Sequence, residues 1–344
     1  MSFENGIIDL RSDTVTHPTQ AMRAAMANAR VGDDVFGDDM TVIELEEYAA
    51  DLLGYEASLF VASGTMGNLV ALLTHCERGS EAIVGNRSHV FLHEVGGMAA
   101  LGGIQANKIP NQPDGTLRPE DVMEAIREDD VHHPRTRLIC LENTQNACGG
   151  VPLTPEYMSR MSDLAHSRGL KLHLDGARLG NAAVAQGVSL KALTKGADST
   201  MICLSKGLCA PIGSLLAGPR KFIAEARRNR KLVGGGMRQV GVLAATGLLA
   251  LKTMIERLAE DHANARRLAE GLRGIPGIEL ETPAPQTNMV YFRFAQSGKL
   301  DAAEIVEQMR KRGILADLRL VTHRWISSED VDKVVVAFRE VMKA

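Results

Sequence analysis

The clearest pattern in the chain is an alternation over 170–174. Leu170, Leu172 and Leu174 fall on one side, and Lys171 and His173 on the other, with the two-residue period of a strand. This strand ends on Asp175 and Gly176. A helical pattern over 177–186 follows. A second apolar run over 201–204 then ends on Ser205 and Lys206, with Gly207 next. Strand, helix, strand over this distance is a βαβ unit with parallel strands. Asp175 and Lys206 are therefore expected at the same carboxyl edge of a sheet, where open α/β sheets bind ligands.

The same patterning places other elements. Helices are expected over 19–29 and over 41–53, the latter with Val42, Leu45, Ala49 and Leu52 inward. A strand over 59–62 leads through the small-residue turn SGTMGN at 63–68 into an apolar helix ending near residue 73. Strands are expected over 82–85 and 137–142, the second ending on Glu142, Asn143 and Thr144. A helix covers 117–128. Thr154 and Pro155 start another that runs to 169. The basic helix over 219–230 reads as a solvated face. Gly234, Gly235 and Gly236 separate it from a long helix starting near 237.

The character of the chain changes near residue 256. Strand patterns IELETP, MVYFRF and LRLVTH then alternate with helical patterns over 301–313 and 327–343. Two domains are expected: an N-terminal segment with a large domain over 1–256, and a small α/β domain over 257–344.

Composition narrows the function. A net charge of −3 gives no electrostatic support for nucleic-acid binding. The five cysteines form no Cys-x-x-Cys pair and read as buried hydrophobes in a reducing compartment. The N-terminus lacks the basic-then-apolar pattern of a signal peptide, and the weakly polar run over 240–251 is too short to span a bilayer. The reading is a soluble cytoplasmic protein. The loop VGDDVFGDD at 31–39 carries four carboxylates without the calcium-loop spacing, so a solvated loop is expected.

A lysine and a carboxylate at one sheet edge match a pyridoxal phosphate site. The lysine would form a Schiff base with the aldehyde, and the carboxylate would keep the pyridine nitrogen protonated. Opposite charges about 4 Å apart attract by roughly 4 kcal/mol at an effective dielectric near 20. A structural ion pair would show the same spacing. The turn at Gly64 and Thr65 opens a helix, where backbone N–H groups meet phosphates. His89 and His93 are four residues apart. They offer two imidazoles on one helical face, a ring to stack on a flat cofactor, or a capped histidine. No third zinc ligand supports a metal. Arg319 lies in the apolar run LRLV and needs an anionic partner, a structural carboxylate or a substrate carboxylate.

Together these segments resemble the low-specificity L-threonine aldolases, which are pyridoxal-phosphate enzymes. The resemblance is carried by IDLRSDTVT at 8–16, VGDDVFGDD, SGTMGN, LENT at 141–144, HLDGARL at 173–179, CLSKGLCAPIGS at 203–214, GGGMRQ at 234–239 and RLVTH at 319–323. It implies the aspartate-aminotransferase-like fold: a large domain with a mostly parallel seven-stranded sheet, plus a small C-terminal α/β domain. It implies retro-aldol cleavage of L-threonine, L-allo-threonine and related β-hydroxy-α-amino acids to glycine and an aldehyde. It also implies roles. Lys206 is the Schiff-base lysine, Asp175 the partner of the pyridine nitrogen, and His89 the stacking ring. Gly64 and Thr65 hold the phosphate, and Arg238 reaches it from a neighbouring subunit of a homotetramer, with Lys231 nearby. Ser12, Arg178 and Arg319 bind the substrate carboxylate, and His132 lies near the substrate hydroxyl. His89 or His132 is the expected base. The chain departs from the family pattern at Gln145 and His93, where histidine and an aromatic residue are usual, and at Gly180 and Trp325. The first two bear on side-chain preference. A relative preferring bulkier substrates such as phenylserine, a β-eliminating lyase and a serine hydroxymethyltransferase-like enzyme are the alternatives on the same fold. A dinucleotide-binding protein is disfavoured by the lack of G-x-G-x-x-G after a strand.

Overall fold

The computed structural model describes residues 6–281, 284–295 and 301–343. The first strand, β1 (Ile8–Asp9), pairs in parallel with β11 (Ile314–Leu315) near the far end of the chain. Between them lies the large sheet, made of β2 (Ala57–Val61), β3 (Ser80–Gly85), β4 (Gln105–Ile109), β5 (Arg135–Glu142), β6 (Lys171–Gly176), β7 (Ser199–Cys203) and β8 (Ser214–Gly218). Its order is β2-β8-β7-β6-β5-β3-β4. Only β8 runs against its neighbours β2 and β7; the other pairs are parallel. The expected βαβ unit is present: β6 and β7 are adjacent and parallel, joined through the helix Leu179–Gln186.

Strands covered on both faces read as apolar runs without alternation. Every residue of β7 and β8 is buried. This explains why β8 carries no period to find it by. The edge strand β4, with the polar sequence QANKI, escapes for the opposite reason.

The small sheet is antiparallel, ordered β12-β10-β9, from β9 (Ile278–Leu280), β10 (Met289–Phe294) and β12 (Arg319–Val321). The last two residues of the IELETP pattern lie outside the described residues. The helices Leu258–Arg273 and Ser328–Val341 pack with this sheet around a second core that includes Ile8 and Leu10. The N-terminal segment thus joins the two cores. Ser12 caps a 3-10 turn at Asp13–Val15, and Thr16 Oγ1 donates to the carbonyl of Lys206 at 2.8 Å.

Two expectations are corrected. The acidic loop over 31–39 is not simply solvated, since Asp34 and Asp39 are buried. Asp39 accepts from the backbone N–H groups of Val42 and Gly241, capping one helix and starting another. The basic helix, Arg220–Leu232, is not a wholly solvated face either. Arg230 is buried, donates to Phe60 O at 2.8 Å and pairs with Asp34 at 2.6 Å. A buried charge needs such a partner, and this one lies far away in sequence. The five cysteines are buried and unbridged.

Candidate active site

Strand ends build the site. Asp175 is the next-to-last residue of β6, Lys206 follows β7 by three residues, and Glu142 closes β5. Between β2 and the sheet centre, the helix Gly64–His75 begins at the same edge, with Ser63 as its cap. Its start is pressed against β7. A Cβ at Gly64 would lie 2.7 Å from Cys203 Sγ, and one at Gly67 2.6 Å from Met201 Cγ. Glycine at both positions lets the first turn of the helix approach the strand ends.

A cavity of about 130 Å³ results, lined by Gly64, Thr65, Asn68, His89, Asp175 and Lys206 among others. Beside it lies a chamber of about 290 Å³, lined by Ser12, Thr14, His93, Glu142, Asn146, Arg178 and Arg319. His89, Asp175, Ala177 and Lys206 line both.

Asp175 is buried. Its Oδ2 accepts from Asn68 Nδ2 at 2.8 Å and its Oδ1 from the N–H of Ala177 at 3.0 Å. The second proton of the Asn68 amide goes to Glu94 Oε1 at 2.8 Å, which also meets His89 Nδ1 at 2.9 Å. His89, Glu94 and Asp175 bring polar atoms within 4.8 Å of one another. Burial raises the Glu94 carboxyl above its ordinary value, and the hydrogen bond to Glu94 raises the His89 imidazole. Burial, with Asp175 nearby, lifts Glu142 to about 7. Its Oε2 accepts from the backbone N–H of His89 at 2.7 Å and its Oε1 from that of Asn146 at 2.9 Å.

Arg178 is buried and gives both Nε and Nη2 to Asp13. Arg319 is only partly buried. It donates to Asn146 Oδ1 at 2.9 Å and to the carbonyl of Arg11 at 3.1 Å. Among the described residues no carboxylate pairs with it. The two acceptors are neutral, so its charge faces the chamber uncompensated.

The structure therefore brings together Ser12, Gly64, Thr65, His89, Asp175, Arg178, Lys206 and Arg319. It does not bring His132, Lys231 or Arg238 to this site within one chain. His132 is exposed and bonded to Asp130. Arg238 is exposed and pairs with Asp33 at 2.9 Å. Lys231 is exposed near the end of its helix. Sequence reading missed Asp13, Asn68, Glu94 and Asn146 as parts of the site. Asn68 and Asp13 sit inside the segments SGTMGN and IDLRSDTVT, but no spacing rule marks them. Of the departures from the family pattern, His93 lines the chamber, whereas Gln145 stands behind its wall. Gln145 donates to Arg87 O at 2.9 Å and accepts from the N–H of Cys148.

A lysine and a carboxylate at the carboxyl edge of a seven-stranded, mostly parallel sheet define an enzyme of the aspartate-aminotransferase-like fold. Residues 9–295 match the β-eliminating lyase family. The chain is 49% identical over 337 residues to the low specificity L-threonine aldolase of Escherichia coli (strain K12), covering 97% of this chain and 98% of that protein. A solved threonine aldolase from Leishmania major superposes with a TM-score of 0.82 at 21% identity, covering 97% of this chain and 99% of that one. An SPT solved with PLP superposes with a TM-score of 0.77 at 18% identity, covering 98% of this chain and 88% of that one. Those two likenesses are of fold. The chain belongs to the low-specificity L-threonine aldolase family, and it is a carbon–carbon lyase. No helix among the described residues is long and apolar enough to cross a membrane.

Proposed function

We propose that this site cleaves L-threonine, L-allo-threonine and related β-hydroxy-α-amino acids to glycine and an aldehyde, with pyridoxal phosphate held in the smaller cavity. The observation that carries the reading is that Lys206 and buried Asp175 line one cavity at the start of the helix Gly64–His75. The fit is supported by the chemistry of the donor set. There is an amine for the aldehyde, a buried carboxylate for the pyridine nitrogen, an imidazole for the ring face, and a helix start with glycine clearance for the phosphate. When bound, the cofactor supplies an acceptor for the electron pair left as the Cα–Cβ bond breaks.

The chain's own residues do the rest. Arg319, with Ser12 and Arg178 beside it, clamps the substrate carboxylate and sets the orientation about Cα. Lys206, which lines both cavities, would hold the cofactor through its aldehyde next to where the substrate amine enters. His89, which lines both chambers, takes the β-hydroxyl proton, a role for which His132 is the other candidate. In this proposal Arg238, Lys231 and His132 serve a neighbouring subunit of a homotetramer in the cytoplasm. Their exposure on one chain is what such sharing requires. The proposed division at about residue 256 leaves the N-terminal segment as the strap that carries Ser12 and Asp13 to the chamber.

The test is acetaldehyde release from L-threonine and, separately, from L-allo-threonine by purified protein with pyridoxal phosphate added. Release from either supports the reading, and the ratio reports the diastereomer preference. Protein that is visibly yellow but releases no aldehyde from these or from phenylserine overturns it.

A further inference from the structure

The hydrogen bonds beneath the cofactor cavity form one directed chain. It begins at His75, which stacks on Phe222 and meets Ser199 Oγ through Nε2 at 2.7 Å. Ser199 Oγ meets His173 Nδ1 at 2.8 Å, and His173 Nε2 meets Asn68 Oδ1 at 3.1 Å. Burial pushes His173 down to about 4 and His75 down to about 3, so both rings are neutral near pH 7. A neutral ring has one donor and one acceptor nitrogen. Only one assignment serves every pair: His75 Nε2–H donates to Ser199, the Ser199 hydroxyl to His173 Nδ1, and His173 Nε2–H to Asn68 Oδ1. The oxygen of Asn68 is thereby turned inward. Its two N–H groups are left for Asp175 Oδ2 and Glu94 Oε1, both at 2.8 Å.

Glu94 is buried, and its Oε1 also meets His89 Nδ1 at 2.9 Å. A carboxylate accepts only, so the His89 proton sits on Nδ1. Among the described residues His89 Nε2 has no hydrogen-bond partner, and the ring lines both chambers. The charged and titratable groups around this ring are Glu94, Asp175, Lys206, Glu142 and His93. Glu94 and Asp175 favour the charged ring and Lys206 opposes it. Glu142 accepts from the His89 backbone N–H, and the His93 ring lies 5.4 Å away.

We propose that Glu94 is a positioning residue of the site: it holds His89 with Nε2 free to accept the substrate β-hydroxyl proton, and Asn68 locks Glu94 to Asp175. The partner of the pyridine nitrogen and the base are then set by one frame. The proposal rests on the reading of the site given above, since it assigns Glu94 a task in that reaction. A carboxylate behind Nδ1 makes Nε2 more basic and stabilises the imidazolium that forms.

The test uses Glu94→Gln. In the protein without added cofactor, the rate at which diethyl pyrocarbonate modifies His89 is followed against pH by peptide mass spectrometry. The reagent attacks neutral imidazole, so the midpoint reports the protonation of that ring. The midpoint should fall by about one pH unit or more in Glu94→Gln, and Glu94→Asp should restore part of the shift. With pyridoxal phosphate added, the acid limb of kcat for cleavage should move in the same direction. An unchanged His89 midpoint in folded Glu94→Gln overturns the proposal. The wild type tests it without any variant: a His89 midpoint at or below that of the exposed His133 in the same sample also overturns it. A wild type that cleaves no β-hydroxy amino acid removes the functional reading, while the two midpoints still decide whether Glu94 governs His89.

Discussion

Arg178 gives Nε and Nη2 to the carboxylate of Asp13 at 2.8 and 2.6 Å, and both side chains are buried. An arginine lining the larger chamber thus arrives already oriented by the N-terminal segment. The segment that orients it also bonds the carbonyl of Lys206 through Thr16. Burial alone would raise the Asp13 carboxyl, but Arg178, with Lys206 and Asn288, holds it well below the usual carboxylate range.

Breaking this pair should cost both stability and binding. Asp13→Asn leaves a buried guanidinium without its carboxylate, a loss of about 3–5 kcal/mol. Denaturant unfolding should show it, and KM for the amino acid should rise in the same variant. The pH sign follows from the depressed value. The stabilisation is fully present above the unfolded carboxyl value and is lost as pH falls through the folded one. Wild-type and variant stabilities should therefore converge toward low pH. A gap that stays constant down to acid unfolding would contradict this.

Arg319 carries a different prediction because its partners are neutral. Arg319→Ala should raise KM at least tenfold, about 1.4 kcal/mol or more, with the cofactor still bound. Steady-state kinetics and the visible spectrum check it together. An unchanged KM would remove Arg319 from the carboxylate clamp.

Arg238 tests the sharing of sites between subunits. Lys206→Ala should fold yet lose the visible absorbance of lysine-bound cofactor, and Arg238→Ala should lose activity through weak cofactor retention. Refolded mixtures of the two inactive variants should regain part of the wild-type activity if Arg238 acts in trans. The absence of any recovery in hybrids verified by native mass spectrometry would count against it.

Glu142 gives the pH dependence near neutrality. Its folded value is raised to about 7 by burial and by Asp175. Between its unfolded value and about 7 the folded state holds the extra proton, so this group's contribution to stability falls as pH rises through that window. Glu142→Gln should flatten that decline in denaturant titrations at successive pH values, while keeping the acceptor for the N–H of His89. A slope that does not change would assign the decline to other groups.

The sequence by itself determined what local periodicity controls. Alternation over 170–174 and the apolar run before Ser205 define strands, and their connection length makes them parallel neighbours. That alone puts Asp175 and Lys206 on one edge. The small-residue turn at Gly64 and Thr65 was legible for the same reason, as a strand followed at once by a helix. The tertiary structure decided what depends on partners distant in sequence. It paired Asp34 with Arg230, against the expectation of solvated faces for the acidic loop and the basic helix, and it paired Asp13 with Arg178. It inserted β8, which is buried on both faces and carries no alternation, antiparallel between β2 and β7. It also turned Asn68 so that one amide serves both Glu94 and Asp175. A hydrogen-bond frame of that kind has no period and no motif. Its members are chosen by where several strand ends and one helix start converge, and only the folded chain defines that point.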